Sequence, residues 1–217
     1  MQAFVTLHSR ALPMPDADID TDIIFPARYL TLTQKTGLAP YAFRDQRYDA
    51  AGAEKPGFVL NQARWRGAQI LVAGPNFGCG SSREQAPWAL ADLGLRCVIA
   101  PSFGAIFEAN CLRNGLLPLR LPAAEHALLL ADAQAGLELT VNLHAMTITR
   151  SDGSGIAFRL PEAQRAALLS GLDEIALILQ QDGERIAAFE ARQRERMPWL
   201  YTSANRADNP AGDATTH

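Results

Sequence analysis

A chain of 217 residues is long enough to bury the core of one domain without disulfides or metals, and nothing in its length demands a second. Hydrophobic residues make up 48% and charged residues 20%, the balance of a globular protein rather than a disordered or fibrous one. A net charge of −3 with no stripe of Lys and Arg argues against nucleic acid or a membrane surface as partner, because neutralising phosphates takes clustered cations.

The cysteines, Cys79, Cys97 and Cys111, are scattered and form no C-x-x-C pair. That pattern predicts reduced thiols in a cytoplasmic protein rather than a disulfide framework or a metal site. The first 22 residues lack a basic stretch followed by a long apolar run, so neither a signal peptide nor a membrane anchor is expected.

Between residues 69 and 119, short apolar runs alternate with helix-like stretches. Residues 69–73 have strand length and end at Gly74 and Pro75; a helix is predicted over residues 82–93, a strand over 97–100, a helix over 106–112 and a strand over 116–119. Such alternation predicts an α/β fold with mostly parallel central strands and flanking helices. A helix over residues 123–135 should stop at Gly136. Strands are predicted over 137–141, 146–149 and 156–160, with a turn at residues 151–155. Three helices follow, over 161–169, 173–180 and 183–196, the last ending before Pro198. From Tyr201 to His217 there is almost nothing to bury, which predicts a disordered tail.

The stretch richest in chemistry is NFGCGSSREQ, residues 76–85, placed between a strand and a helix. Gly78 and Gly80 permit a tight turn, and a helix start beyond them offers N–H groups to a carboxylate or phosphate. The spacing fits neither a P-loop nor a nucleophile elbow. Ser81 with Glu84, and Ser82 with Gln85, also match a capping box, so periodicity alone favours serines that cap a helix.

The GxGSSRE string resembles the aconitase superfamily. The longer run NFGCGSSREQAPWALADLGLRCVIAPSFGAIFEANCLRNGLLPL is similar to the small subunits of isopropylmalate dehydratases almost position by position. The likeness continues upstream in DIDTDIIFPARYL at residues 18–30 and GFVLN at 57–61, and downstream in GLDEIAL at 171–177, AFEAR at 188–192 and Pro198, Trp199 and Leu200; it spans residues 3–200.

This resemblance implies a swivelling β/β/α domain over residues 1–200 that closes over the active site of a separate large subunit, as a heterodimer or larger assembly. It implies a hydro-lyase that interconverts 2-isopropylmalate and 3-isopropylmalate in leucine biosynthesis and is active only with that subunit. No cofactor is expected on this chain; a four-iron four-sulfur cluster is expected on the large one. Cys79, inside the loop, is expected to pack or tune it, since one thiolate cannot hold a cluster. By position, Ser81 is the base that removes a proton α to a carboxylate, and Ser82 and Arg83 bind substrate carboxylate. The residue types suit these roles, since a serine alkoxide needs positive charge and oriented N–H dipoles, and arginine grips a carboxylate with two prongs.

Two positions depart from the family pattern: Gln85 stands where His is usual, and Asp18 where Asn is. Asp20 and Asp22 are candidate catalytic carboxylates on composition alone, with turn and hydrogen-bonding roles the expected alternative. Substrate choice is expected from residues 27–33. Relatives resembling homoaconitase place an arginine two residues after the tyrosine for an additional carboxylate. Here Thr31 stands there between Leu30 and Leu32, so an alkyl group is favoured; Arg28 remains within reach of a carboxylate. Leu30 and Leu32 as core residues of an adjacent strand are the plain alternative. A paralogous dehydratase for methylmalate or dimethylmalate, an RNA-binding relative and an inactive scaffold are the competing functions; the acidic balance and the intact serine-serine-arginine string disfavour the last two.

Overall fold

The computed structural model describes residues 1–201, in two compact units, Met1–Asp173 and the segment from Glu174 onward. The first unit runs β1 (Thr6–Met14), α1 (Thr21–Ile24), α2 (Arg44–Arg47), β2 (Ile70–Ala73), α3 (Gln85–Asp92), β3 (Cys97–Ala100), α4 (Ala105–Arg113), β4 (Leu117–Arg120), α5 (Ala123–Ala135), β5 (Glu138–Asn142), β6 (Thr147–Thr149), β7 (Gly155–Ala157) and α6 (Glu162–Ser170). One seven-stranded sheet has the order β4-β3-β2-β1-β5-β6-β7. Strands β1 to β4 are parallel, as the alternation of strands and helices predicts; β5, β6 and β7 extend the sheet antiparallel from the other side of β1.

Strand β1 joins the two halves, and the sequence hides it. Thr6 to Arg10 pair with β5, whereas Ala11 to Met14 pair with β2. A proline inside a central strand normally argues against one. Here the Met14 carbonyl accepts from Gly74 N–H on the β2 side, while Ala11 N–H donates to the Leu137 carbonyl on the opposite side. Pro13, two residues from Ala11, therefore points its missing donor to the side where β5 pairing has already ended.

Strands β2 and β3 are buried on both faces. Leu71, Ala73, Val98 and Ala100 face one apolar cluster with Ala86, Leu90 and Phe107, under α3 and α4. Ile70, Val72, Cys97 and Ile99 face the other, with Leu129, Ala133 and Leu168 from α5 and α6. The strand period of two thus sorts one apolar run into two layers, each fully buried branched side chain contributing about 1.5–3 kcal/mol. Helix α5 has the predicted bounds and ends on Gly136 at φ 77°. Its Asp132, buried, takes two hydrogen bonds from Arg150, at 2.6 and 2.8 Å, which fastens the helix to the segment between β6 and β7.

Three expectations need correction. Helix α3 starts at Gln85 rather than near residue 82. The helices predicted over 173–180 and 183–196 are one helix, α7 (Glu174–Arg196), because a single Gly183 costs only about 1 kcal/mol among good helix formers. Residues 27–33 form no strand; Ala27–Tyr29 is a 3₁₀ turn. The second unit continues from α7 into a 3₁₀ turn at Pro198–Tyr201, where the Tyr201 hydroxyl donates to Gln193 Oε1 at 2.6 Å. The expected tail lies, after Tyr201, outside the described residues. Among the described residues no helix is long and apolar enough to cross a membrane.

His126 of α5 is buried and donates from Nε2 to the Ala73 carbonyl at 2.7 Å, at the end of β2. Burial holds its pKa below the ordinary value, with the Ala73 bond opposing. Below about pH 6.5 the unfolded imidazole takes up a proton that the folded one refuses, so stability falls as pH drops through that point. Thermal melts of the wild type and His126→Gln between pH 7.5 and 5.5 should show a smaller acid-induced loss in the variant. Identical losses would remove His126 from the pH response.

Candidate active site

The site loop leaves β2 at Gly74 and reaches α3 eleven residues later. It lies at the carboxyl end of the parallel strands, where ligands bind in open α/β sheets. On one side it is tied to the loop after β3: Phe77 N–H donates to the Ser102 carbonyl, Gly104 N–H to the Phe77 carbonyl, and Asn76 N–H to Ser102 Oγ at 2.8 Å. On the other it is tied to the segment after β1. Asp18 N–H donates to the Pro75 carbonyl, Gly78 N–H to the Ile19 carbonyl, and Thr21 N–H to the Cys79 carbonyl. Thr21 Oγ1 adds a bond to the Ser81 carbonyl at 2.9 Å.

Asp18 and Asn76 both take left-handed backbone, φ 56° and 57°, which short polar side chains tolerate, and Asn76 Nδ2 donates to Asp18 Oδ1 at 2.7 Å. Aspartate at position 18 thus supplies the acceptor that an asparagine carbonyl would. Gly78 has φ 72°, and a Cβ there would sit 2.2 Å from Phe107 Cγ, inside the ring that packs edge-on against Phe77.

The predicted site residues divide clearly. Ser81 and Ser82 are exposed, and neither hydroxyl has a hydrogen-bond partner among the described residues. Nor does either cap a helix: Glu84 is the N-cap of α3 and makes no side-chain capping bond. Arg83, whose side chain is 11% exposed, turns its two-pronged face to Asp22. Its Nη2 donates to Asp22 Oδ2 at 2.7 Å, its Nη1 to Asp22 Oδ1, and Nη1 also reaches the Phe25 carbonyl at 3.4 Å. The Arg83 hydrogen bond holds the Asp22 carboxyl below the ordinary carboxylate range. Asp20 has the turn role: its Oδ1 accepts from Ile23 N–H at 2.7 Å as N-cap of α1.

Arg28 is exposed and paired in the same two-pronged way with Asp45, over the Tyr29 ring, and that carboxylate raises its pKa. Leu30 and Leu32 are half-buried against the first apolar cluster, and Thr31 is exposed between them. Gln85 Nε2 reaches the Leu30 carbonyl at 3.4 Å, so Gln85 touches residues 27–33. The Asp22 clamp and the Thr21 tie are absent from the sequence reading. The available signal was a second acid in Asp-Thr-Asp, with no cation at helical spacing to absorb it.

The thiols do not suit an iron–sulfur cluster. Cys97 and Cys111 are fully buried, and burial pushes both well above the ordinary thiol range. Cys79 is half-buried; burial, with Asp20 and Asp18 nearby, raises it too and keeps it a thiol. Among the described residues no group of three or more His, Cys, Asp or Glu is placed to hold a metal ion.

Comparison with known proteins decides the family. The aconitase C-terminal domain family matches residues 1–124, and the family of the C-terminal domain of 3-isopropylmalate dehydratase small subunits matches residues 174–203. The 3-isopropylmalate dehydratase small subunit of Rhodospirillum centenum is 51% identical over 201 residues, covering 92% of this chain and 98% of that protein. The chain belongs to the 3-isopropylmalate dehydratase small-subunit family. Its counterpart from Gluconacetobacter diazotrophicus is 50% identical, with 92% and 97% covered. The crystal structure of a 3-isopropylmalate dehydratase from Methanocaldococcus jannaschii shares the fold at TM-score 0.62 and 27% identity, covering 84% of this chain and 99% of that one.

Gly78→Ala and Gly80→Ala separate collision from backbone strain. Both glycines have positive φ, but a Cβ on Gly80 meets nothing nearer than 3.5 Å. Urea unfolding should show Gly78→Ala losing more than about 1 kcal/mol and clearly more than Gly80→Ala. Equal losses would mean that the Phe107 ring does not constrain the loop.

Proposed function

We propose that this chain is the small subunit of a 3-isopropylmalate dehydratase, isomerising 2-isopropylmalate and 3-isopropylmalate by dehydration and rehydration. The observation that carries this reading is the loop of residues 80–84, held to the segment after β1 by Thr21 and Asp22, with two exposed serines whose hydroxyls have no partner among the described residues, followed in the chain by an arginine of fixed orientation. Nothing in the fold or the relatives favours methylmalate or dimethylmalate.

In this mechanism Ser81 is the base for the proton α to the carboxylate, and Ser82 donates its hydroxyl to that carboxylate. Arg83 supplies the positive charge that lowers the energy of the Ser81 alkoxide and of the enolate-like charge developing on substrate. Because Asp22 occupies its two-pronged face, Arg83 meets substrate through its remaining N–H groups while its plane stays fixed. Leu30 and Leu32, with Thr31 between, line the alkyl side. Arg28 offers substrate its two-pronged face only by releasing Asp45.

Electrostatics explain why a second subunit is required. Substrate brings two carboxylates to a region where Arg83 and Arg28 are paired and Asp18, Asp20 and Glu84 add negative charge. The balancing cations, the remaining acid and base groups and the four-iron four-sulfur cluster, which would supply Lewis-acid chemistry at the substrate hydroxyl, belong in this proposal to the large subunit. The assembly works in the cytoplasm, where the three unpaired thiols stay reduced.

Ser81→Ala tests the reading. Since Ser81 caps no helix and its hydroxyl has no partner among the described residues, the variant's stability should stay within about 0.5 kcal/mol of the wild type. In complex with a cluster-loaded large subunit, kcat should fall roughly 10²- to 10⁴-fold with KM little changed. Steady-state kinetics with parallel melting curves provide the check, and normal turnover would remove Ser81 from the mechanism.

A further inference from the structure

Residues 27–39 run along one side of α3 and are fastened there at three heights. At the first turn Gln85 reaches the Leu30 carbonyl, and at the last turn Asp92 Oδ2 accepts from Ala39 N–H at 2.7 Å. Between them Trp88 Nε1 and Lys35 Nζ both donate to Asn114 Oδ1 at 2.9 Å, and the Lys35 ammonium lies 5.1 Å from the centre of the Trp88 ring. Asn114 is itself held, its Nδ2 donating to the Asn110 carbonyl at 2.8 Å. Gln85, Trp88 and Asp92 are three and four residues apart and so share one helical face, while Ala86, Ala89 and Leu90 enter the core.

We propose that the Lys35–Trp88–Asn114 junction is a positioning device for substrate choice, fixing where Leu30 and Leu32 stand and hence the size of alkyl group accepted. The substrate assignment rests on the functional reading above; the fastening does not. The physical case is one of preorganisation. One methylene against an apolar wall is worth roughly 10- to 200-fold in kcat/KM, and a wall realises that difference only when its own support is rigid. Residues 30–37 contain no helix or strand, so their backbone is held by such outside contacts rather than by a ladder of its own. The junction suits this role because both lone pairs of the Asn114 carbonyl are used by donors from two different segments.

The test uses two variants in complex with the large subunit. Asn114→Ala removes the shared acceptor. Lys35 is surface-exposed, and Lys35→Met keeps the aliphatic cover over Trp88 while removing only the charged donor, so folding is not at risk. Both should raise KM for isopropylmalate about 3- to 10-fold with kcat within about twofold, and should lower the preference for isopropylmalate over methylmalate several-fold. Lys35→Arg, which keeps a cation and a donor, should retain the wild-type preference. In the isolated chain, hydrogen exchange should quicken at residues 30–37 in Asn114→Ala while β2 and β3 stay protected. Faster exchange or a lower Tm with unchanged preference would reduce the junction to a structural role and overturn the proposal, as would unchanged exchange. A wild-type complex inactive on both malates would instead overturn the functional reading, and the exchange data would still decide whether the junction holds the loop.

Discussion

The two-pronged pair between Asp22 and Arg83 is the constraint on which the site depends. It joins the segment after β1 to the loop after β2, two stretches 61 residues apart that the parallel pairing of β1 with β2 brings side by side. Backbone bonds from Asp18, Thr21 and Gly78 set the spacing, and the ion pair then fixes the plane of the guanidinium of Arg83, the residue that follows Ser81 and Ser82 in the chain. With the Asp22 side chain 51% exposed, the pair adds little to folding stability; its value is orientation.

The same pair alters what the arginine does. An arginine free to present both prongs offers a carboxylate two parallel hydrogen bonds. Held by Asp22, Arg83 keeps its charge and loses its preferred docking face, so a dianionic substrate gains little from this chain alone. In the proposed reaction that charge balance divides the work between two subunits: this chain brings two exposed serines and a preset cation, and the partner brings the rest.

Much of this was legible in the residues. Helix α5 and its Gly136 stop, strands β2 and β3, and the loop at residues 76–85 follow from hydrophobic period and turn chemistry. The failures have separate physical causes. Strand β1 was hidden because its two halves serve different partners and Pro13 breaks the usual pattern. Helix α3 starts late because the Asp22 clamp and the Thr21 bond hold residues 81–83 out of helical geometry, overriding a local capping-box signal. Helix α7 runs through Gly183 because one glycine cannot stop a run of strong helix formers. The ties from Lys35, Trp88 and Asn114 join segments distant in the chain, so no local pattern announces them.

The most direct measurement is a double-mutant cycle on Asp22→Ala and Arg83→Ala, read as kcat/KM for isopropylmalate in complex with the large subunit. If Asp22 acts by orienting Arg83, each single variant loses activity and the double variant is no worse than Arg83→Ala alone, giving a large coupling energy. Losses that simply add would mean that Asp22 and Arg83 act independently, and would contradict the account.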